Sequence, residues 1–424
     1  MNIRKKLPAA AAAITAAAML LMLAGCGVSS VTENAAAQSS GTVETVTSAP
    51  ASAAGTGAES TADTGSENEE LFTSRDLAQT ADLSEATSVK VTDGETVTVT
   101  EAGVYVVTGS AENATIVVNA GDEDKVQLVL NGVSIVNAHQ PCILVENADK
   151  VFVTSAEGSE NFLTVSSTFT VDEDAAIFSR DDLVLNGLGS VTVSSAGDGV
   201  RSNDDLKLTG GTWNITAEDT AVKAHNSISA CDGTYVLNAA NDGLHAENND
   251  DDTVGSIAIE GGSFAIQAGD DGIHATTSTT VSGGTLTISA GEGIEATQVI
   301  INDGAVSIRA TDDGINAGQK SDSMPIRIEI NGGDISITMG AGDTDAIDSN
   351  GDLVITGGSI DISAQSPFDY DGSCSFTGGT VTVNGTQIST ISNQMMGGGM
   401  MGGQMGGQPG GMMGGQPGGF GGRP

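Results

Sequence analysis

Many of the residue types on which folds and binding sites usually depend are scarce in this chain. Its 424 residues include one Trp, three Tyr and nine Phe, four Cys, and 15 Lys and Arg against 55 Asp and Glu. The resulting net charge of -40 excludes a nucleic-acid binder, which needs cationic side chains to displace counterions from phosphates. It points instead to an extracellular, cation-rich setting. Four cysteines are too few for a disulfide framework. The shortage of aromatics leaves no visible row of exposed rings of the kind that usually grips crystalline cellulose. Beyond Leu23 no apolar run is long enough to cross a bilayer, and no window carries the 3.6-residue period of a helix.

What is plentiful is glycine, 58 residues in all, and a phrase that returns between Ala196 and Asp371. Its copies are Asp198-Gly199-Val200, Asp242-Gly243-Leu244, Asp271-Gly272-Ile273, Glu292-Gly293-Ile294 and Asp313-Gly314-Ile315. Looser versions stand at Asp219 to Val222, Asp345 to Ile347 and Asp369 to Asp371. The anchors Val200, Val222, Leu244, Ile273, Ile294 and Ile315 recur every 21 to 29 residues, the signature of a solenoid. A second phrase, apolar-x-apolar-x-Gly-Gly followed by two more alternating apolar residues, interleaves with it, as in Leu206 to Ile215 and Ile328 to Ile337. Each period thus holds three short strands between Gly, Asp and Asn turns. The predicted fold is all-β, a right-handed parallel β-helix. Residues 89 to 165 supply earlier coils with a less regular repeat and without the Asp-Gly phrase.

Stacked coils lie about 4.8 Å apart, so equivalent side chains form ladders. Carboxylates at that spacing raise one another's pKa, and a bound cation relieves them. Calcium suits the task, because it accepts six to eight oxygen ligands in loose geometry. The candidate ligands are Asp198, Asp219, Asp242, Asp270, Asp271, Glu292, Asp312, Asp313, Asp345 and Asp348. Asp before Gly also recurs in turns for backbone reasons alone, which is the competing explanation. The Gly-Gly-x-Gly-x-Asp nonapeptide of calcium-roll toxins is absent.

The residue after each anchor is expected to face outward, giving the strip Arg201, Lys223, His245, His274, Glu295, Asn316, Asp348, Asp371. Arg201, Lys223, His245 and His274 are candidate ligand-binding residues. Arg201 and Lys223 beside calcium would also suit a polysaccharide lyase, in which the metal acidifies a uronate proton and a basic side chain removes it. An acidic neighbourhood opposes the lowered lysine pKa this needs, and a solvated face balancing the carboxylates is the simpler expectation. His245 and His274 read as ladder residues rather than zinc ligands, since no further His or Cys joins them. Trp213, at a position held elsewhere by Tyr235, Phe264 and Leu286, is expected in the core. Insertions at 248–253 and 318–325 follow the same strand of the repeat and suggest a binding edge.

The ends of the chain differ from its middle. Arg4, Lys5 and Lys6, the apolar run Leu7 to Leu23, and Leu23-Ala24-Gly25-Cys26 form a bacterial lipoprotein signal over residues 1–26, with Cys26 the acylated residue. Localisation on the outer face of a bacterial membrane follows, with contact to the membrane through the anchor alone. Residues 27–70, rich in Ser, Thr, Ala and Gly, read as a disordered linker, and Phe72 to Leu77 as a cap over the first coil. The β-helix occupies 71–392. Residues 393–424 form a disordered Met, Gly and Gln tail, flexible or weakly adhesive, whose thioethers could alternatively hold copper(I). Cys142, Cys231 and Cys374 lie several coils apart, too far to bridge.

The run Ala102 to Gly109, then Val126 to Val133, then Ala148 to Val151, followed by Asp-Gly-Ile coils, resembles a family of bacterial surface carbohydrate-binding proteins with pectate-lyase-like β-helices, known from anaerobic plant-wall degraders. The resemblance extends from about Phe72 to Thr390. It implies a calcium-binding β-helix that attaches to cellulose or acidic pectic polysaccharide without cleaving it. The expected function is therefore a non-catalytic, calcium-bearing polysaccharide binder. Two alternatives remain: a calcium-dependent lyase using Arg201 and Lys223, and a surface adhesin or spacer with a protein partner.

Overall fold

The computed structural model describes residues 71–341 and 344–393. The signal segment with Cys26, the linker 27–70 and the tail from 394 lie outside the described residues. Among the described residues there are 36 β-strands and no helix. They form a 24-stranded and a 12-stranded sheet, in which successive repeats pair in parallel.

The register follows the sequence period. In the 12-stranded sheet Ile116, Ile143, Ile177, Val200, Val222, Leu244, Ile273, Ile294, Ile315 and Ile347 stand opposite one another in turn. All ten are fully buried, so each contributes on the order of 1.5–3 kcal/mol. A one-residue slip would turn the whole set outward, which is why the register holds. The ladder also runs back into the less regular early repeats, whose Asp-Gly phrase is missing.

The 24-stranded sheet contains two further ladders. One passes through Leu183, Leu206, Ile228, Ile257, Thr279, Val299, Ile328, Leu353 and Cys374. The other passes through Val191, Trp213, Tyr235, Phe264, Leu286, Val306, Ile335, Ile360 and Val381. Trp213 is fully buried, its indole N–H donating to the Gly210 carbonyl at 3.0 Å, and Tyr235 stacks on Phe264 at 4.8 Å. Among the described residues Cys142, Cys231 and Cys374 form no disulfide.

The glycine of the repeated phrase is required by crowding. A Cβ on Gly272 would lie 2.2 Å from Ile288 Cγ2 and 2.6 Å from the Gly293 carbonyl oxygen, and one on Gly293 would lie 2.3 Å from the Gly314 carbonyl oxygen. Only a residue without a side chain lets one repeat approach the next this closely.

At the C-terminal end Thr380–Val383 turns back on Thr386–Ile388 as an antiparallel hairpin. Asn384 and Gly385 both take positive φ, 50° and 75°, as a two-residue primed turn requires.

The segment at Phe72 to Gln79 does not cap the first repeat, as its sequence suggested. It lies against the outer side of strands near Lys150, Asn186 and Lys207. Asp76, with no exposed surface, meets Lys207 at 3.0 Å and Lys150 at 3.6 Å, and Gln79 donates to the Thr209 carbonyl at 2.7 Å. Phe152 and Val184 explain the docking. They stand at outward register positions yet are buried, so the segment covers apolar surface that would otherwise meet water.

Candidate functional site

Two ladders of polar side chains flank the anchors of the 12-stranded sheet. Two residues before each anchor stand Asp198, Thr220, Asp242, Asp271, Glu292, Asp313 and Asp345. One residue after stand Phe178, Arg201, Lys223, His245, His274, Glu295, Asn316, Asp348 and Asp369.

The register corrects several expected placements. Thr220, not Asp219, occupies the ladder in its repeat, and Asp219 instead accepts from Asn241 at 2.5 Å. Asp270 and Asp312 are exposed on the turn while Asp271 is buried beside the first of them, so these neighbouring pairs do not converge. The outer strip ends at Asp369 rather than Asp371. Nor is it a solvated face: His245 and Glu295 are 9% and 8% exposed, because the Asn248–Thr253 and Gly318–Pro325 insertions follow on the same edge. The two insertions touch, the Asp322 backbone N–H donating to the Asp252 carboxylate at 2.9 Å.

The carboxylates have a structural role of their own. One oxygen of Asp198, Asp242 and Asp313 accepts the backbone N–H of the next repeat's equivalent residue, Thr220, Asp271 and Asp345, at 3.1, 2.9 and 3.1 Å. Buried N–H groups need such acceptors, so part of the Asp pattern serves the backbone.

The remaining oxygens see very different surroundings along the ladder. In the earlier repeats the protein provides the counter-charge. Arg201 meets Asp174 at 2.9 Å and Asp198 at 3.9 Å, Nδ1 of His245 meets Asp242 at 2.7 Å, and Nδ1 of His274 meets Asp271 at 2.7 Å and Glu295 at 3.0 Å. Lys320, from the second insertion, reaches Glu295 at 2.6 Å. Burial alone would raise Glu295, but hydrogen bonds from His274 and Lys320 bring it down to about 2. Burial likewise opposes a charged His274, yet Asp271 and Glu295 push it up to about 10.

From Asn316 onward the outer ladder itself carries no cationic side chain. Burial pushes Glu292 up to about 7, with Glu295, Asp271 and Asp313 adding repulsion. Asp313 rises to about 6 from burial and from Asp312, Asp345 and Glu295. Asp348 rises to about 7 from burial and from Asp313, Asp369, Asp345 and Asp371. Beside them Asn316 Oδ1, Thr344 Oγ1 and Asp369 Oδ1 are buried with no hydrogen-bond partner among the described residues. Asn316, Asp348 and Asp369 are successive members of one ladder. The ladder members at this end, Asn316, Asp348 and Asp369, include no Lys, Arg or His.

At the basic end, Asp198 is raised to about 6 by burial, against the pull of Lys223. Arg201 is tied down by Asp174, by Asn203 at 3.3 Å and by His225 at 3.2 Å, and lies over the Phe178 ring. Arginine holds its proton tightly in proteins, which weighs against Arg201 as a base. Lys223 is half-buried between Arg201 and His245.

The sequence did not single out Glu247 or Lys320, and it marked Asp369 as the start of a looser copy of the phrase rather than as a site residue. Glu247 carries a weak signal, two residues after His245 at the start of an insertion, and bonds Nε2 of that ring at 3.2 Å. Among the described residues, three sets of donors come within 4.8 Å of one another: His245 with Glu247 and His274, Asp271 with His274 and Glu295, and Asp182 with Asp204 and Asp205. None is drawn from Asp313, Asp345, Asp348 and Asp369.

A family described as carbohydrate-binding domain-containing proteins matches residues 93–344 and 292–399. A protein of that description from Acetivibrio thermocellus is 35% identical over 129 residues, 29% of this chain and 44% of that protein, so the chain spans less than half of this relative. A solved structure described as the polysaccharide lyase-like protein from C. thermocellum, gadolinium derivative, aligns with a TM-score of 0.47 and 28% identity over 49% of this chain and 93% of the other. With most of its length matched, the chain belongs to the carbohydrate-binding domain-containing protein family.

Proposed function

We propose that this chain is a non-catalytic surface protein that binds an acidic polysaccharide through calcium, its strands coiled as a right-handed parallel β-helix. Three strands per repeat, in a register that shifts only among the early repeats, favour that coil, and the family's description favours a glycan partner. The observation that carries the calcium reading is the oxygen-rich strip of Asp313, Asp348 and Asp369 with Asn316. The raised carboxyls of Asp313 and Asp348 and the buried oxygens of Asn316 and Asp369 that lack a hydrogen-bond partner among the described residues are what a hard, oxygen-seeking cation relieves. The carboxylates are spaced by repeat, and calcium tolerates such loose shells. A calcium ion held there would keep positions for the carboxylate of a uronate.

Acidic pectic glycan fits better than cellulose. Trp213 is buried, and Phe162 is the one aromatic ring among the exposed large apolar side chains, so an aromatic platform is missing from the described surface. The lyase reading now rests on Lys223 alone, since Arg201 is occupied.

The purified chain is to be tested for binding to polygalacturonate and cellulose, with calcium and then with chelator, while absorbance is followed for unsaturated product. Binding to polygalacturonate that chelation abolishes, without product, is the expected result. Product that disappears in Lys223→Ala would establish the lyase instead, and failure to bind either glycan would favour an adhesin with a protein partner. The anchor at Cys26 predicts incorporation of labelled fatty acid into the chain, lost in Cys26→Ser.

A further inference from the structure

We propose that His245, His274 and Glu247 form a second metal site, separate from the oxygen strip, that takes a divalent transition ion of the zinc class. The two imidazoles come from adjacent repeats, in register. They stack with centroids 4.6 Å apart and planes 6° from parallel. Each ring is fixed from the same side: Nδ1 of His245 bonds Asp242 at 2.7 Å, and Nδ1 of His274 bonds Asp271 at 2.7 Å. Nearly parallel rings held alike by Nδ1 present their Nε2 atoms along one edge. Glu247 stands at that edge, 3.2 Å from Nε2 of His245, and one donor atom from each of the three residues lies within 4.8 Å of the others.

The pattern has a chemical meaning. A metal-ligating histidine almost always gives its other ring N–H to a carboxylate, which sets the tautomer and strengthens the ligand. Here two carboxylate-histidine pairs lie side by side. Imidazole selects zinc, copper or nickel over calcium, so the histidine end and the aspartate end of one ladder are suited to different ions. Two His and one Glu make a three-ligand zinc set with a position left open, and Glu247, at 38% side-chain exposure, keeps that position facing solvent. Zinc–nitrogen bonds of about 2.0–2.1 Å lie near the plane of each imidazole, so the two parallel rings must turn toward each other to share one ion.

The test uses the whole chain, stripped with chelator and then saturated with calcium. Zinc is titrated by calorimetry, and cobalt(II) by its visible spectrum. One zinc per chain is expected, indifferent to calcium. His245→Ala and His274→Ala should each weaken it at least 100-fold, Glu247→Gln about 10-fold, and Asp348→Asn not at all. Zinc that calcium displaces, zinc that binds both histidine variants unchanged, or cobalt spectra with thiolate charge-transfer bands would overturn the proposal. If either histidine variant fails to fold, copper(II) on the unaltered chain reports the same point by EPR. Coupling to two imidazole nitrogens is expected there, and coupling to one or none overturns it.

Discussion

The Lys320 ammonium lies 2.6 Å from the Glu295 carboxylate, joining an insertion loop to the ladder it overhangs. Glu295 is buried and Lys320 is about one-third exposed. Lys320→Ala is therefore expected to cost about 1–2 kcal/mol, the range of a charge-assisted bond discounted for partial exposure. Denaturant unfolding measures the loss. Carboxyl NMR should show Glu295 titrating above its present value of about 2, since His274 alone then holds it down.

Stability in chelator should fall as pH rises. Glu292 and Asp348 titrate near 7, and Asp198 and Asp313 near 6, in the folded chain, all above ordinary carboxylate values. Between about pH 4 and 7 the folded state then holds more protons than the unfolded one, so the free energy of unfolding declines with pH. His274, raised to about 10, acts in the same direction from about 6.5 upward. Calorimetric melting from pH 5 to pH 8 should show the decline. Calcium should restore the melting temperature at pH 8 and do little at pH 5, where protons already occupy the carboxylates. A melting temperature that rises toward pH 8 in chelator would contradict this account.

Asp348→Asn should stabilise the calcium-free chain at pH 8, because it removes a half-buried charge from among four other aspartates. The same change should shrink the calcium-induced rise in melting temperature. A variant that is destabilised in chelator, with its calcium response intact, would mean that the strip is not a cation site.

Trp213→Ala should cost about 3–5 kcal/mol, as large-to-small changes of buried aromatics do, because Trp213 fills the core between Val191 and Tyr235. Glycan binding by the fraction that remains folded should be unaltered. Weakened binding without loss of stability would return Trp213 to the ligand surface.

Much of the site could be read in the sequence because the repeat fixes which residues share a ladder. The anchors from Val200 to Ile315 stand in register as their spacing requires, and so do Arg201, Lys223, His245 and His274 beside them. The misplacements come from shifts of one or two residues. Asp219 and Asp371 look like members of the ladders by composition, but pairing counts from the anchor, and Thr220 and Asp369 occupy the positions. Asp270 and Asp312 adjoin ladder residues in sequence yet lie exposed on the turn before the strand.

Strand alternation, glycine at the crowded turns and a charge of -40 are local or additive properties, and the sequence alone determined them, and with them the all-β, parallel architecture. Which charges meet was decided only by the tertiary structure. Lys320 neutralises Glu295 because an insertion folds back across the sheet edge, and Asp76 finds Lys150 and Lys207 across more than 70 residues of chain. Glu247 meets two histidines because adjacent repeats stack their rings. Electrostatic pairing depends on distances of a few ångströms between residues far apart in the chain, and no period in the sequence records those distances.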